Sequence, residues 1–554
     1  MSDKIKTKIT EIRNSGRDVE AVLAGEKDSE LLYAASPIRQ NLVSWLDVTG
    51  KKVFVAGDTS GILAEKFSQM GAKEVSEVVL EDFKKIFATN DSEKYDLIFI
   101  LGGADENCKA VSEKLSEDGR LIIAVDNKLG IRQWSRMNDV ISNQVNTLPG
   151  DESNENSNQK LYLESEIDKL MSDAGLTVLD TYYPVPDMTF PRIVYNRKCV
   201  PTKGFFEIST PEYSSDKISF FEETEFMNLA SLEGAAQHFA NSFVVVAGKD
   251  SSVTDTRLIY ARYNSERRKE FRTDTFIYES VGENGQYRDV VKRAACPEAE
   301  KHLNQIENSK LQLDGMYKNV SLAGLERKAD GLHFEFIEGR SLSDVIGEMR
   351  DELVLLKVEI NRLISPLFEF ADDAGEGGKK EDMYNFDMIP SNVIVKPDGS
   401  LVLIDYEWVF DEASARSILS GSDTLDTSVM KDFLRYRTLL YLYRDNKDTC
   451  FSNISLGEFM RGMGISVEME KRFEQMENNF QQYVYGEGWK SMYTKNYLKN
   501  VTRVQDMLNV YKDKLRHNSV LENANKTLKS LLIAGGICGV VLVIILIMII
   551  LKLA

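Results

Sequence analysis

Between residues 50 and 130 the chain alternates short apolar runs with amphipathic stretches. Lys52–Ala56, Val75–Leu80, Tyr95–Leu101 and Arg120–Val125 are rich in Val, Ile, Leu and Phe, and their lengths are those of buried strands. Ala64–Gly71 and Asn107–Glu117 space apolar residues three and four apart and predict helices between those strands. Strands alternating with helices predict a parallel, doubly wound α/β sheet. Residues 1–35 are polar and predict a helical N-terminal segment, and residues 150–160 (GDESNENSNQK) predict a low-complexity loop.

The pattern changes near Ser214. Leu258–Tyr263, Thr275–Tyr278 and Asp289–Arg293 read as antiparallel strands, Pro297–Glu307 as a helix and Leu332–Ile337 as a further strand. Long helical stretches begin at Asp351 and Thr427, and residues 371–383 (ADDAGEGGKKEDM) predict a flexible loop. Strands first and helices after predict a small β-rich lobe joined to a helical one. A third pattern closes the chain. Leu531 to Leu551 contains no charged residue. At about 1.5 Å per residue it is roughly 30 Å long, enough to cross a hydrocarbon core. The predicted segments are therefore 1–35, 36–205, 214–450, a helical juxtamembrane region over 451–529 and a membrane span over 530–551.

Charge gives the span a direction. Lys490 to Lys529 holds nine Lys and Arg against three Asp and Glu, while only Lys552 follows the span. This bias predicts that the bulk of the chain lies on the cytoplasmic side. The N-terminal stretch MSDKIKTKITEIRNSG has no apolar run, so no signal peptide is expected. The net charge of −19 with a basic collar fits a membrane lipid surface and argues against a nucleic-acid partner. The five cysteines are far apart, without metal-ligand spacing, and read as reduced. Four histidines leave little for a histidine metal site.

Two stretches carry candidate chemistry. The first, Lys52 to Leu63, reads KVFVAGDTSGIL: a strand, a tight turn over Gly57, Thr59 and Gly61, then a helix. Glycines at such a turn let the backbone approach a nucleotide-like cofactor. The second, residues 384–410, reads YNFDMIPSNVIVKPDGSLVLIDYEWVF. Phosphoryl transfer needs a carboxylate to take the acceptor's proton, for which Asp387 is the candidate, and groups that hold metal ions, for which Asn392 and Asp405 are the candidates. Glu407 shares a strand face with Asp405 and is a candidate for a second metal ion. The PDG turn at 397–399 would bring Asp405 back beside Asn392.

Two resemblances follow from these residues. Residues 36–200, with DNKLG at 126–130 and YYPVPD at 182–187, resemble the class I S-adenosylmethionine-dependent methyltransferase domains of bacterial surface-polysaccharide proteins. Val55 stands where such domains carry an acid, Thr59 replaces the central glycine, and Val79, flanked by Glu77 and Glu81, takes the place of a ribose-binding acid. Both an active and a degenerate, docking version of the domain are therefore open. The stretch around Asp387, with Ile404-Asp405-Tyr406-Glu407 as its last motif, resembles the choline kinase and aminoglycoside phosphotransferase branch of the protein-kinase-like fold. That resemblance implies Lys292 as the lysine gripping nucleotide phosphates, with Glu298 or Glu300 as its ion-pair partner on the helix that also carries His302. It implies Phe334 to Gly339 as the link between lobes. It implies Arg267, with Arg268 and Lys269, in place of a glycine-rich phosphate loop.

The combined order resembles bacterial O-antigen chain-terminating kinase–methyltransferases. The expected fold is an α/β Rossmann-like methyltransferase domain, then an α+β two-lobed protein-kinase-like domain, then a C-terminal transmembrane helix. The resemblance implies ATP, Mg2+ and S-adenosylmethionine as ligands, a lipid-linked glycan as acceptor, and polysaccharide-synthesis glycosyltransferases as partners. A glycan methyltransferase with a non-catalytic kinase-like domain and a non-enzymatic membrane adaptor are the alternatives.

Overall fold

The computed structural model describes residues 3–15, 19–23, 31, 34–80, 82, 93–103, 108–137, 160–201, 217–219, 221–249, 256–282, 285–349, 353–371, 383–420, 425–447, 449–486 and 501–553. Most of the two predicted loops, 150–160 and 371–383, lies outside the described residues, as do Glu81 and 490–500 of the basic collar.

One mixed sheet of twelve strands spans both halves of the chain. Its strands, numbered along the chain, are β1 (Lys52–Ala56), β2 (Glu74–Val78), β3 (Tyr95–Leu101), β4 (Leu115–Asp126), β5 (Thr177–Val185), β6 (Ile193–Asn196), β7 (Ser242–Gly248), β8 (Thr256–Arg262), β9 (Thr273–Gly282), β10 (Gly285–Ala294), β11 (Leu325–Lys328) and β12 (Gly331–Glu335). They lie side by side as β11-β12-β10-β9-β8-β6-β5-β7-β4-β3-β1-β2.

The β2-β1-β3-β4 part is parallel. Strands β1 and β3 and the second half of β4 are buried on both faces, which is why they read as continuous apolar runs. The edge strand β2 is only partly covered. The chain runs from β1 outward to β2, then crosses to the other side of β1 for β3 and β4. The order reverses between β1 and β3, and open α/β sheets hold their ligands at the carboxyl ends of strands beside such a reversal. Strand β7 inserts antiparallel between β4 and β5. The boundary expected at 205 is thus too early, because Ser242–Gly248 completes this half of the sheet. Its core residues Phe243, Val244, Val245 and Ala247 are buried.

Strands β8 to β12 form the antiparallel half, and β8 joins the two halves through its pairing with β6, Tyr260 opposite Tyr195 and Ala261 opposite Val194. Helix α1 (Ile62–Gln69) follows the first turn and α2 (Glu300–Leu313) follows β10. Beyond β12 the chain builds a second core from α3 (Thr427–Asp445) and α4 (Val467–Tyr485), whose Phe433, Tyr436, Phe473 and Phe480 belong to one apolar cluster with Phe386. The predicted limit at 450 is therefore also too early, since α4 belongs to this core.

The last helix, α5 (Val504–Leu553), contains one stretch long and apolar enough to cross a membrane, and its large apolar side chains are exposed along Leu531–Met548.

The second core makes a testable statement about its boundary. A chain ended at Thr449 loses Phe473, Met476 and Phe480, and leaves the buried Arg437 without Glu477. Lost large apolar side chains cost about 2–5 kcal/mol each and a broken buried pair about 3–5 kcal/mol. A chain ended at Gly486 is expected to unfold cooperatively by circular dichroism, and the chain ended at Thr449 to show no cooperative transition.

Candidate functional site

The hairpin Val393–Val395 and Leu401–Leu403, closed by the PDG turn, brings the chain back on itself, and the Ile404 amide donates to the Asn392 carbonyl at 2.9 Å. Asp405 therefore returns to the level of Asn392, as the turn predicts. Asn392 is tied in turn to the loop before it, its Nδ2 donating to the Asp387 carbonyl at 3.1 Å. Asp387 is held at both ends. Its amide donates to Asn385 Oδ1 at 2.9 Å, and its Oδ2 accepts the Trp408 amide at 2.6 Å. Burial, with the Asp405 and Glu407 charges nearby, pushes the Asp387 carboxyl up to about 7.

Lys292 on β10 reaches this cluster from the sheet. Its Nζ lies 2.7 Å from Asp405 Oδ1 and 3.4 Å from Glu407 Oε2. Burial works against its ammonium charge, and the two carboxylates override it, so its pKa stands above the ordinary value. The helix residues expected as its partners do not fill that role. Glu300 opens α2 with an exposed side chain, and the carboxylates that Lys292 meets are those of Asp405 and Glu407, not Glu298 or Glu300. The helix supplies His302 instead, and His302 meets Glu407.

Glu407 is the centre of the cluster. Its Oε1 accepts from Arg267 Nη1 at 2.5 Å and from Thr273 Oγ1 at 3.1 Å, and it lies 2.7 Å from His302 Nε2. Burial opposes the charge, but Arg267, Lys292 and His302 hold this carboxyl well below the usual range. Three donors crowd Oε1 and Lys292 stands 3.4 Å from Oε2, so Glu407 serves here as a structural hub and not as the open second metal ligand expected. Arg267 departs from expectation for the same reason. Its guanidinium is buried against Glu407 and over the Trp408 ring at 5.4 Å, which takes it away from any phosphate.

Two oxygens in the cluster remain open among the described residues. Asp405 Oδ1 faces Lys292 while Oδ2 has no partner there, and Asn392 uses its Nδ2 while its Oδ1 is free. A carboxylate and an amide oxygen are ligand types that a hard divalent cation such as Mg2+ takes. The link out of β12 passes Gly339, at φ +154°, where an added Cβ would sit 2.4 Å from the Val395 carbonyl oxygen. Only glycine lets the link cross the hairpin this closely.

The first site differs. Gly57 ends β1 at φ +89°, where a Cβ would stand 2.2 Å from the Leu101 carbonyl oxygen at the end of β3. Gly61 caps α1 at φ +69°, and Thr59 is exposed at the tip of the turn. The turn itself is held by Asp58, which the motif reading passed over. Asp58 Oδ1 accepts from the Ser60 amide at 3.1 Å and hydroxyl at 2.6 Å, Oδ2 accepts from the Leu63 amide at 2.7 Å, and Arg39 lies 3.5 Å away. A nucleoside's ribose diol needs an acceptor at these strand ends. Val55 and Val79 offer none, and Asp58 is spent within its own turn. Of the two acids that flank Val79, Glu77 lies on β2 and Glu81 lies outside the described residues.

The DNKLG and YYPVPD segments meet at the ends of β4 and β5. Arg132 lies 2.9 Å from Asp187 and 3.5 Å from Asp126, and Ser242 donates to Asp126 at 2.6 Å. Asp187 also accepts the amides of Thr189 and Phe190 at 2.8 and 3.2 Å. These motifs form a buried clasp joining β4, β5 and β7, in which burial raises the Asp126 carboxyl above its ordinary value. Thr273, Trp408 and His302 are the contributors to the second site that motif spacing leaves without a role; each is an ordinary strand or helix residue until the fold turns it toward Glu407 or Asp387.

No protein-family model and no curated protein matches the chain. Solved structures similar to it include the CcbJ methyltransferase from Streptomyces caelestis, at 12% identity, covering 41% of this chain and 97% of that one with a TM-score of 0.22. An S-adenosylmethionine-dependent methyltransferase from Mesorhizobium loti matches at 10% identity, 41% and 99% coverage and a TM-score of 0.22. Another from Clostridium acetobutylicum matches at 13% identity, 44% and 98% coverage and a TM-score of 0.20.

Proposed function

We propose that this protein is a phosphotransferase that moves the γ-phosphoryl group of ATP to a hydroxyl of a glycan held at a membrane. The observation that carries the reading is the convergence of Asp387, Asn392 and Asp405, which are close in sequence, with Lys292 from a strand far earlier in the chain. Asp387 takes the proton of the acceptor hydroxyl as its oxygen bonds to the γ-phosphorus and the bond to the β-phosphate oxygen breaks, releasing ADP. Lys292 neutralises phosphate charge, and Asn385 and the Trp408 amide keep Asp387 aimed. Asp405 and Asn392 would hold Mg2+, which supplies charge neutralisation on the phosphates.

The methyltransferase-like half is proposed as a docking platform, because Val55 and Val79 stand where a methyltransferase of this class carries its cofactor-binding acids. The C-terminal span is proposed as a membrane anchor with the two halves in the cytoplasm. A lipid-linked glycan acceptor confined to the same surface meets the enzyme at a raised effective concentration. Polysaccharide-synthesis glycosyltransferases are the proposed neighbours there.

Asp387→Asn is expected to abolish phosphate transfer, by at least the roughly 10²–10⁴-fold that a general base contributes, with ATP–Mg2+ binding retained in calorimetry. Asp405→Ala is expected to lose the thermal shift that ATP–Mg2+ gives the wild type. The raised carboxyl of Asp387 sets a pH signature. The folded protein keeps its proton up to about pH 7, whereas the unfolded chain loses it near pH ~4. Its contribution to stability is therefore full below about pH 4 and lost as pH rises toward 7. The gap in melting temperature between wild type and Asp387→Asn, measured without nucleotide, should change in that window, and transfer should rise through it to a plateau above it.

A further inference from the structure

The loop between β8 and β9 occupies the place where a nucleotide-binding lobe of this kind would cover the phosphates, yet four consecutive residues of it are tied to different parts of the molecule. Ser265 Oγ accepts from Asn41 Nδ2 at 3.2 Å, and that same Nδ2 donates to the Pro191 carbonyl at 2.8 Å. Glu266 forms an ion pair with Arg192. Arg267 enters the cluster at Glu407, 2.5 Å away. Arg268 binds the end of α4, its amide donating to the Val484 carbonyl at 3.0 Å and its Nη1 to the Tyr483 carbonyl at 3.3 Å. Asn41 precedes β1 and Arg192 lies in the turn between β5 and β6, so both belong to the methyltransferase-like half. The backbone reinforces the junction, since the Tyr263 amide donates to the Arg192 carbonyl at 2.8 Å.

We infer that Arg192 and Asn41 of the methyltransferase-like half are positioning residues for the phosphotransferase site, acting through the strap Ser265–Arg268. The inference rests on the phosphotransferase reading. Its physical content is a relay of charge. Arg192 fixes Glu266, which fixes the turn that aims Arg267 at Glu407, and Glu407 in turn shares Lys292 with Asp405. Neither Arg192 nor Glu266 is fully exposed, with side chains 15% and 31% accessible, so the pair is screened less than a surface one. If the strap is released, Arg267 leaves Glu407, and the lysine that meets the nucleotide phosphates is drawn further onto Glu407. The nucleotide site then depends on a domain that touches none of its ligands.

The test is ATP–Mg2+ affinity of the full chain in detergent, by calorimetry, with the melting temperature of each variant recorded alongside. Arg192→Glu and Glu266→Arg are each expected to weaken binding about tenfold, the scale of one coupled charge pair. The double variant Arg192→Glu/Glu266→Arg is expected to return to within about threefold of wild type, and Arg192→Lys to stay close to it. Should either reversal unfold the chain, Glu266→Gln and Asn41→Ala serve in its place, with a weakening of about threefold expected from each. Unchanged affinity in the single variants, or a double variant as weak as the singles, overturns the strap while leaving the phosphotransferase reading intact. A wild-type chain that binds no ATP–Mg2+ overturns both.

Discussion

A single buried carboxylate organises the second half of this protein. Glu407 is almost inaccessible to solvent and is surrounded by Arg267, Thr273, Lys292 and His302. An ionised carboxylate in such a place would cost several kcal/mol if left unpaired. Its four partners come from a loop, two strands and a helix, so satisfying one charge requires all four elements to be in register. The Trp408 amide that follows it in the chain is the same group that holds Asp387. The hub and the proposed base are thus tied through one short stretch, and a displacement of either is felt by the other.

The second organising feature is continuity of the sheet. Strand β8 pairs with β6 on one side and β9 on the other, so the two halves share a ladder of backbone hydrogen bonds instead of meeting through a linker. Two separate domains joined by a flexible segment move relative to one another by default. A shared sheet removes that freedom and makes the loop after β8 a fixed bridge. This explains why the basic residues of that loop are turned to structural partners: a loop pinned at both ends has no slack with which to close over a ligand.

The two candidate sites differ in how their polar groups are spent. In the Asp387 cluster, Asp405 and Asn392 each keep an oxygen unpaired among the described residues. In the β1 turn, both carboxylate oxygens of Asp58 are used to hold the turn itself. The same residue types are therefore spent differently: partly open in one place and wholly on the local fold in the other.

The local elements and the candidate stretch around Asp387 are legible in the order of the amino acids. Runs such as Lys52–Ala56 and Tyr95–Leu101 must be strands because they are short and apolar on both faces. The apolar stretch near the C-terminus reads as a helix long and apolar enough to cross a membrane, from its length and composition alone. The D-x4-N spacing and the turn at 397–399 bring Asp387, Asn392 and Asp405 together from local geometry alone. The remaining questions are settled by packing. Whether Glu407 is a ligand or a hub, whether Lys292 pairs with a helix or with strand-end carboxylates, and whether Arg267 faces a phosphate or the core all depend on contacts more than a hundred residues apart. Periodicity carries no information at that range, because which charges meet in a buried site is set by how the layers pack, and the energy of each pairing depends on the burial that packing creates.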